Sequence, residues 1–264
     1  MVINPSPSIE NLGGKGYQLS LLKNICRVPE FFVIQLECLT EIETTEFQNN
    51  VLSEYDSHEF DYVSIRSSAT VEDSEIASFA GMFETKLNVT RDTLIDSIRK
   101  VFNSSDNERV IEYCQLNKLD VDNIALRVVV QKMVNCRVAG VCITKETSDS
   151  NTMLIEACLG VGEALVSGMI TPDTYRINRT SFEITESSIG FQKKMVISCD
   201  NSEIQNVPFH LRNAKKMKNS ELVELSKICL LIEKKLNYHV ADIEWAFEKD
   251  RLYILQARPF VGKI

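Results

Sequence analysis

The sequence predicts an α/β fold, either one large unit or two lobes around a cleft, and three observations lead there. The chain has 264 residues, more than one average domain needs. Helical periodicity gathers toward its start and again near its end. From residue 124 onward, β-branched runs of strand length follow one another across short polar breaks, which reads as a mostly antiparallel sheet. No repeat, low-complexity tract or proline-rich linker divides the chain, so any two lobes must be interleaved; the change of texture sets off about 1–120 from about 121–264.

The elements follow in order. Gly14–Ile25 has a glycine-rich entrance and then Leu19, Leu22 and Ile25 at helical spacing, a loop feeding a short helix. Thr90 stands as N-cap to a helix through about Asn103, with Leu94, Ile95, Ile98, Val101 and Phe102 on one face, and a second helix is expected at about 105–117. IALRVVVQKMV, RVAGVCIT, TMLIEA, TYRIN and FEITES are the strand candidates. Residues 220–236 form an amphipathic helix with Leu222, Leu225, Ile228, Ile232 and Leu236 as its stripe. DIEWAFE and RLYILQA then flank Lys249-Asp250 as a hairpin.

Composition narrows the classes. Hydrophobic residues at 44% and charged ones at 25% sit at the globular average. No stretch approaches the roughly 18 apolar residues of a membrane span, and the N-terminus lacks the basic start and apolar core of a secretory signal, so a soluble cytoplasmic protein is expected. Eight cysteines without a CxxC pair read as reduced core residues. A net charge of −8 argues against a general nucleic-acid surface, so anionic ligands would need local positive charge.

Five segments carry possible chemistry. Gly13-Gly14-Lys15-Gly16 offers backbone N–H groups, a helix start and one cation to an anion, although such a loop is also an ordinary surface turn. Arg66 ends a short apolar strand amid hydroxyls in SIRSSATVED, a fork suited to phosphate or a capped strand end. Ser78–Thr85 contains a small-residue turn with Gly81 that could let backbone close over a ligand, although by itself it reads more readily as a structural turn. Leu159-Gly160-Val161-Gly162 resembles a phosphate-binding turn but is common in plain turns. In the terminal hairpin Asp242 and Glu244 share a face, as do Gln256 and Arg258. A carboxylate beside an amide oxygen suits Mg²⁺, while a solvated salt bridge is the plain alternative.

Taken in order, GGKGYQLSLL, VSIRSSATVEDSEIASFAGMFETKLNV, VVVQKMV, IEACLGVGEALVSGMITPDTY and DIEWAFEKDRLYILQARP closely resemble the N-terminal nucleotide-binding domain of the phosphoenolpyruvate synthase, pyruvate phosphate dikinase and rifampin phosphotransferase family. The resemblance covers nearly the whole chain. It implies a single ATP-grasp unit whose two lobes enclose a nucleotide cleft, with an antiparallel sheet in the C-terminal lobe. It implies ATP and Mg²⁺ as ligands, with Lys15, Arg66 and Arg258 at the phosphates and acting in catalysis, and with Gly81 and Thr85 at the phosphate-covering turn. Gln131, Lys132 and Met133 would edge the adenine, through backbone groups at Lys132 and Met133, and Glu244 and Gln256 would hold the metal. Phosphoryl transfer needs positioning and charge neutralisation above all, which such a set supplies.

Two departures shape the functional expectation. Family members pass the phosphoryl group to a histidine in a TSHA-like motif, and none of His58, His210 and His239 lies in such a motif. The stretch between Lys15 and Arg66 looks compressed, with Phe31 where the PxGFxI pattern has glycine. The first expectation is therefore an ATP-dependent phosphotransferase subunit that donates to a phosphocarrier histidine on a separate protein. The alternatives are a stand-alone kinase or ligase acting on a small molecule, and a nucleotide-sensing module without turnover.

Overall fold

The computed structural model describes residues 2–36, 38–70, 85–104, 125–146, 149–198 and 204–260. The helix expected at about 105–117 lies outside them. Two compact units are formed, one by Met1–Ser20 and Pro29–Met133, the other by Leu21–Val28 and Val134–Ile264.

The first unit is built on a five-stranded antiparallel sheet. Its strands are β1 (Val2–Ile3), β2 (Phe31–Gln35), β3 (Val63–Ala69), β4 (Thr85–Val89) and β5 (Leu126–Lys132), in the order β1-β2-β5-β3-β4. By texture β5 groups with the later strands, yet it pairs between β2 and β3, with Val130 opposite both Phe32 and Ile65. The reason is visible in its burial: Leu126 through Gln131 are all buried, so both faces need cover and a central position supplies it. Helices α1 (Ile9–Leu22), α2 (Thr45–Ser57) and α3 (Leu94–Asn103) complete the unit.

One sheet face packs with α2 and α3 into a core of Phe32, Ile34, Ile65, Val128 and Val130 against Phe47, Val51, Leu94 and Ile98. Thr90 starts α3 as expected: its N–H donates to Thr93 Oγ1 at 3.1 Å, after which a single 3₁₀ turn, Arg91–Thr93, leads into the helix. The sequence reading does not anticipate α2. Its buried residues Phe47, Val51 and Tyr55 come one per turn amid polar residues, too thin a stripe for periodicity to register.

In the second unit β6 (Val138–Ile143), β7 (Thr152–Leu159), β8 (Asp173–Asn178), β9 (Ile184–Ser188), β12 (Ala241–Glu248) and β13 (Arg251–Pro259) form an antiparallel sheet ordered β13-β12-β6-β7-β8-β9. A separate ribbon pairs β10 (Lys194–Val196) with β11 (Ile204–Asn206), and α4 (Glu163–Val166) is a single turn. Leu21–Val28 belong to this unit through the edge of β13, where Ile254 N donates to Arg27 O at 2.9 Å.

Helix α5 (Asn219–Lys235) covers the face bearing Ile243, Trp245 and Cys142. Its buried side is Leu222, Leu225, Ser226, Cys229 and Ile232, whereas Ile228 and Leu236 are half-buried. The stripe is thus rotated from the expected one, because small Ser226 and Cys229 let the helix settle where Cys229 meets Cys142. Six cysteines fall among the described residues and all are free; Cys142, Cys158 and Cys229 are buried as expected, but Cys38 is exposed. Burial pushes the Cys158 thiol up to about 12, so it stays protonated and inert at neutral pH.

A buried ion pair joins three parts of this unit. Lys216, just ahead of α5, and Asp173, at the start of β8, are both fully buried with Nζ and Oδ1 2.5 Å apart. The Lys216 ammonium also donates to the Gly190 carbonyl at 2.9 Å, and Gly190 returns its N–H to Asp173 Oδ1 at 3.0 Å. Tyr175 Oη and the Lys216 N–H donate to Asp173 Oδ2 at 2.7 and 2.9 Å.

Candidate functional site

In the first unit Arg66, Thr85 and Gln131 share the sheet face opposite α2 and α3. Arg66 lies opposite Thr85 of β4 and Val129 of β5, and residues opposed in an antiparallel ladder share a face. Gln131 stands two residues beyond Val129 on that face, and its Oε1 accepts from Arg66 Nη1 at 3.3 Å. At 3% exposure Gln131 is a fixed support. Thr85 is exposed at the start of β4, while Gly81 lies outside the described residues. Lys132 is exposed at the end of β5. Its N–H and that of Met133 donate to Glu30 O and Tyr62 O, each at 2.8 Å.

The glycine segment differs from the expected loop. Helix α1 already begins at Ile9 and is broken at Gly13, where φ is 68° and ψ 176°. Ser68, on the same face of β3 as Arg66, bridges the break: its Oγ donates to Leu12 O at 2.8 Å and accepts from Gly16 N at 3.0 Å. A Cβ on Gly13 would stand 2.0 Å from Ser68 O, so a glycine is required both for the positive φ and for the close approach. Half-buried Lys15 follows within the restarted helix. Gly13→Ala is expected to destabilise the chain by about 1–3 kcal/mol, read as a lowered urea midpoint at constant m-value, from the left-handed φ and the displaced strand together.

The turn at Gly160, which in sequence could be a phosphate-binding or a plain turn, has its N–H groups engaged as in a plain one. The N–H groups of Gly160 and Val161 donate to Arg137 O at 3.3 Å and Val196 O at 2.8 Å, so both are spent on neighbouring backbone. With φ at +82° and Val196 O 2.2 Å from where a Cβ would lie, Gly160 is there to let β10 close on the turn.

The second unit presents the hairpin residues on one face of β12 and β13. From the turn, Glu248 pairs with Arg251 and Trp245 with Ile254, the register of a two-residue connection. Continued unchanged, that register would set Glu244 against Leu255. Instead the ladder shifts between Glu244 and Trp245, so that Glu244 opposes Gln256 and Asp242 opposes Arg258. This one-residue bulge is what turns Gln256 and Arg258 to the face of the two acids. Arg258 Nε and Nη2 both donate to Asp242 Oδ2, at 2.9 and 2.8 Å.

The donor set fits Mg²⁺. Glu244 offers a carboxylate and Gln256, 4% exposed, an amide oxygen from the facing strand. Among the described residues no cluster of three or more His, Cys, Asp or Glu is arranged to hold a metal. Two protein oxygens with the remaining positions left to water and phosphate is the habit of Mg²⁺, not of a metal enclosed by protein. Ser68 bridges the break at Gly13 and Asp242 accepts from Arg258, and sequence reasoning left both without a role. The hydroxyl-rich SSAT run was the signal for the first, and the Asp-x-Glu alternation for the second.

Comparison with known proteins decides the family. The profile described as pyruvate phosphate dikinase, AMP/ATP-binding domain, matches residues 43–263. The chain belongs to this family. Lys15 and the break at Gly13 precede the matched span, which takes in Arg66, Glu244, Gln256 and Arg258. A probable phosphoenolpyruvate synthase of Methanocaldococcus jannaschii is 39% identical over 202 residues, 75% of this chain and 17% of that protein. The uncharacterized phosphotransferase YvkC of Bacillus subtilis is 30% identical over 274 residues, 94% of this chain and 33% of that one. The chain therefore spans a third or less of the length of these relatives. Among solved structures, PH1788 of Pyrococcus horikoshii is alike in fold, with a TM-score of 0.50 at 12% identity over 94% of this chain and 90% of that one. As a member of the pyruvate phosphate dikinase nucleotide-binding family, the chain has the α/β ATP-grasp fold class, with an antiparallel sheet in its second unit.

Proposed function

We propose that this chain binds Mg-ATP and begins a phosphoryl transfer whose acceptor is a histidine on a separate protein. The observation that carries the reading is the bulged register of β12 and β13, which sets Glu244 with Gln256 and Asp242 with Arg258 on one face. In this proposal Glu244 and Gln256 hold Mg²⁺, which when bound neutralises charge on the phosphates. Lys15, Arg66 and Arg258 orient the phosphate oxygens and stabilise charge developing during transfer. Gly81 and Thr85 belong to the covering turn, and Gln131, Lys132 and Met133 to the adenine edge. A cytoplasmic setting, where ATP and Mg²⁺ are supplied, is part of the same reading; among the described residues no helix is long and apolar enough to cross a membrane.

None of the three histidines lies in a TSHA-like motif, and His58 is engaged on both ring nitrogens. His58 has Nδ1 3.5 Å from Glu30 and Nε2 3.3 Å from Glu54, and its ring stacks on Phe60 at 4.8 Å. With a carboxylate at each nitrogen it is held in place, not presented to a phosphate. The test is to incubate the chain with Mg²⁺, ATP labelled at the β or γ position, and a candidate protein carrying a TSHA-like segment. Acid-labile label on that protein, dependent on this chain, is expected. Label that never exceeds the ATP-only control overturns the histidine acceptor, and product formed with a metabolite panel in the absence of any second protein would point to a direct kinase.

A further inference from the structure

We propose that Asp242 is a positioning residue for Arg258, one that gives up ground-state affinity for ATP in return for a fixed aim of the guanidinium. The inference rests on the phosphate role proposed above for Arg258. Two hydrogen bonds from Arg258, Nε at 2.9 Å and Nη2 at 2.8 Å, converge on the single Asp242 oxygen Oδ2. A side-on grip of this kind fixes the plane of the guanidinium, and with it the direction in which the cation is presented. The two residues face each other across the ladder, so the backbone itself sets their spacing. With side chains 17% and 28% exposed, the pair is partly shielded from solvent and is less weakened by screening than a surface pair.

The position of Asp242 has an electrostatic consequence. Its carboxylate lies two residues from Glu244 on the same face, where a polyphosphate would bring several negative charges. It must therefore repel the nucleotide in the ground state and compete with phosphate for Arg258. Removing its charge loosens the hold on the arginine and lifts the repulsion, so binding tightens, while transfer slows because the cation is no longer aimed at the transition state. A ligand to the metal would behave in the opposite way, since its loss raises the Mg²⁺ requirement and weakens binding. A purely structural ion pair would change stability and leave affinity alone.

The experiment uses three readouts on the whole chain. In nitrogen-15 spectra without nucleotide, the Arg258 Nε–H is expected to exchange slowly in the wild type and to lose that protection in Asp242→Ala. In calorimetric titrations, Asp242→Asn is expected to bind Mg-ATP about threefold to tenfold more tightly, at an unchanged half-saturating Mg²⁺ concentration, while Glu244→Gln raises that concentration. Phosphoryl transfer by Asp242→Asn is expected to fall about tenfold or more despite the tighter binding. Unchanged Nε–H exchange in Asp242→Ala, weaker ATP binding in Asp242→Asn, or a raised Mg²⁺ requirement in that variant would each overturn the proposal. A wild type that binds no ATP would overturn the functional reading and this role with it, and that failure is recognisable because the spectra still report the Asp242–Arg258 contact.

Discussion

Asp173→Ala is expected to destabilise the chain by about 3–5 kcal/mol, the largest loss of stability foreseen for a single substitution in it. The reason is the charge left behind. Lys216 Nζ is fully buried and has Asp173 and the Gly190 carbonyl as its hydrogen-bond partners. Without the carboxylate, an ammonium remains in the interior against one neutral oxygen, and the Gly190 N–H, the Lys216 N–H and the Tyr175 hydroxyl lose their acceptor as well. Asp173→Asn keeps an acceptor but removes the charge, so its loss should be intermediate. The double variant Asp173→Leu with Lys216→Met removes both charges and should recover much of the difference, since a buried pair is dearer to break than to replace. Urea denaturation of the three variants checks the order; a loss below about 1 kcal/mol for Asp173→Ala would mean that the pair does not hold the start of β8, the Gly190 loop and the approach to α5 together.

That network shows what the sequence does and does not reveal. TPDTY is visible as a motif, but its aspartate meets a lysine 43 residues away, and no local pattern announces such a partner. Elements defined by near neighbours were legible: α3 with its cap at Thr90, α5 as an amphipathic helix, and the Lys249-Asp250 hairpin all follow from spacing and turn chemistry. Strand β5 was legible as a strand and not as a member of a sheet, because periodicity fixes which residues are buried and says nothing of the neighbour that buries them. Gly13 was legible as a special glycine, but the break it makes inside α1 depends on Ser68, on a strand more than fifty residues later.

The hairpin is the sharpest case. Alternation within each strand puts Asp242 with Glu244 and Gln256 with Arg258, yet whether the two pairs face each other depends on register across the ladder. A two-residue turn by itself would set them on opposite faces. The bulge beside Glu244 reverses this, and nothing in the local sequence marks it: Leu255 is an ordinary strand residue. Resemblance to the family singled out these residues, and the bulge is the physical reason that they share a face.

Glu244→Ala is accordingly expected to lower Mg²⁺-dependent phosphoryl transfer by about 100-fold or more, with a much smaller effect on folding. If Glu244 and Gln256 hold the metal, the alanine variant loses the only charged ligand of the pair, and the metal's remaining protein contact is a neutral amide oxygen. Glu244→Gln should fall between the two, because it keeps an oxygen in place at lower charge. The competing picture, a solvated polar residue on a hairpin, predicts a stability change within about 1 kcal/mol and no change in transfer at any metal concentration. A time course of label transfer across a Mg²⁺ titration separates them. A metal ligand shifts the half-saturating concentration upward and lowers the plateau rate, whereas curves that overlay the wild type would remove Glu244 from the metal site. Arg258→Ala sharpens the comparison, for it should depress transfer without moving the Mg²⁺ midpoint. Neighbouring residues on one sheet face would then be told apart by which ligand of Mg-ATP each one answers to.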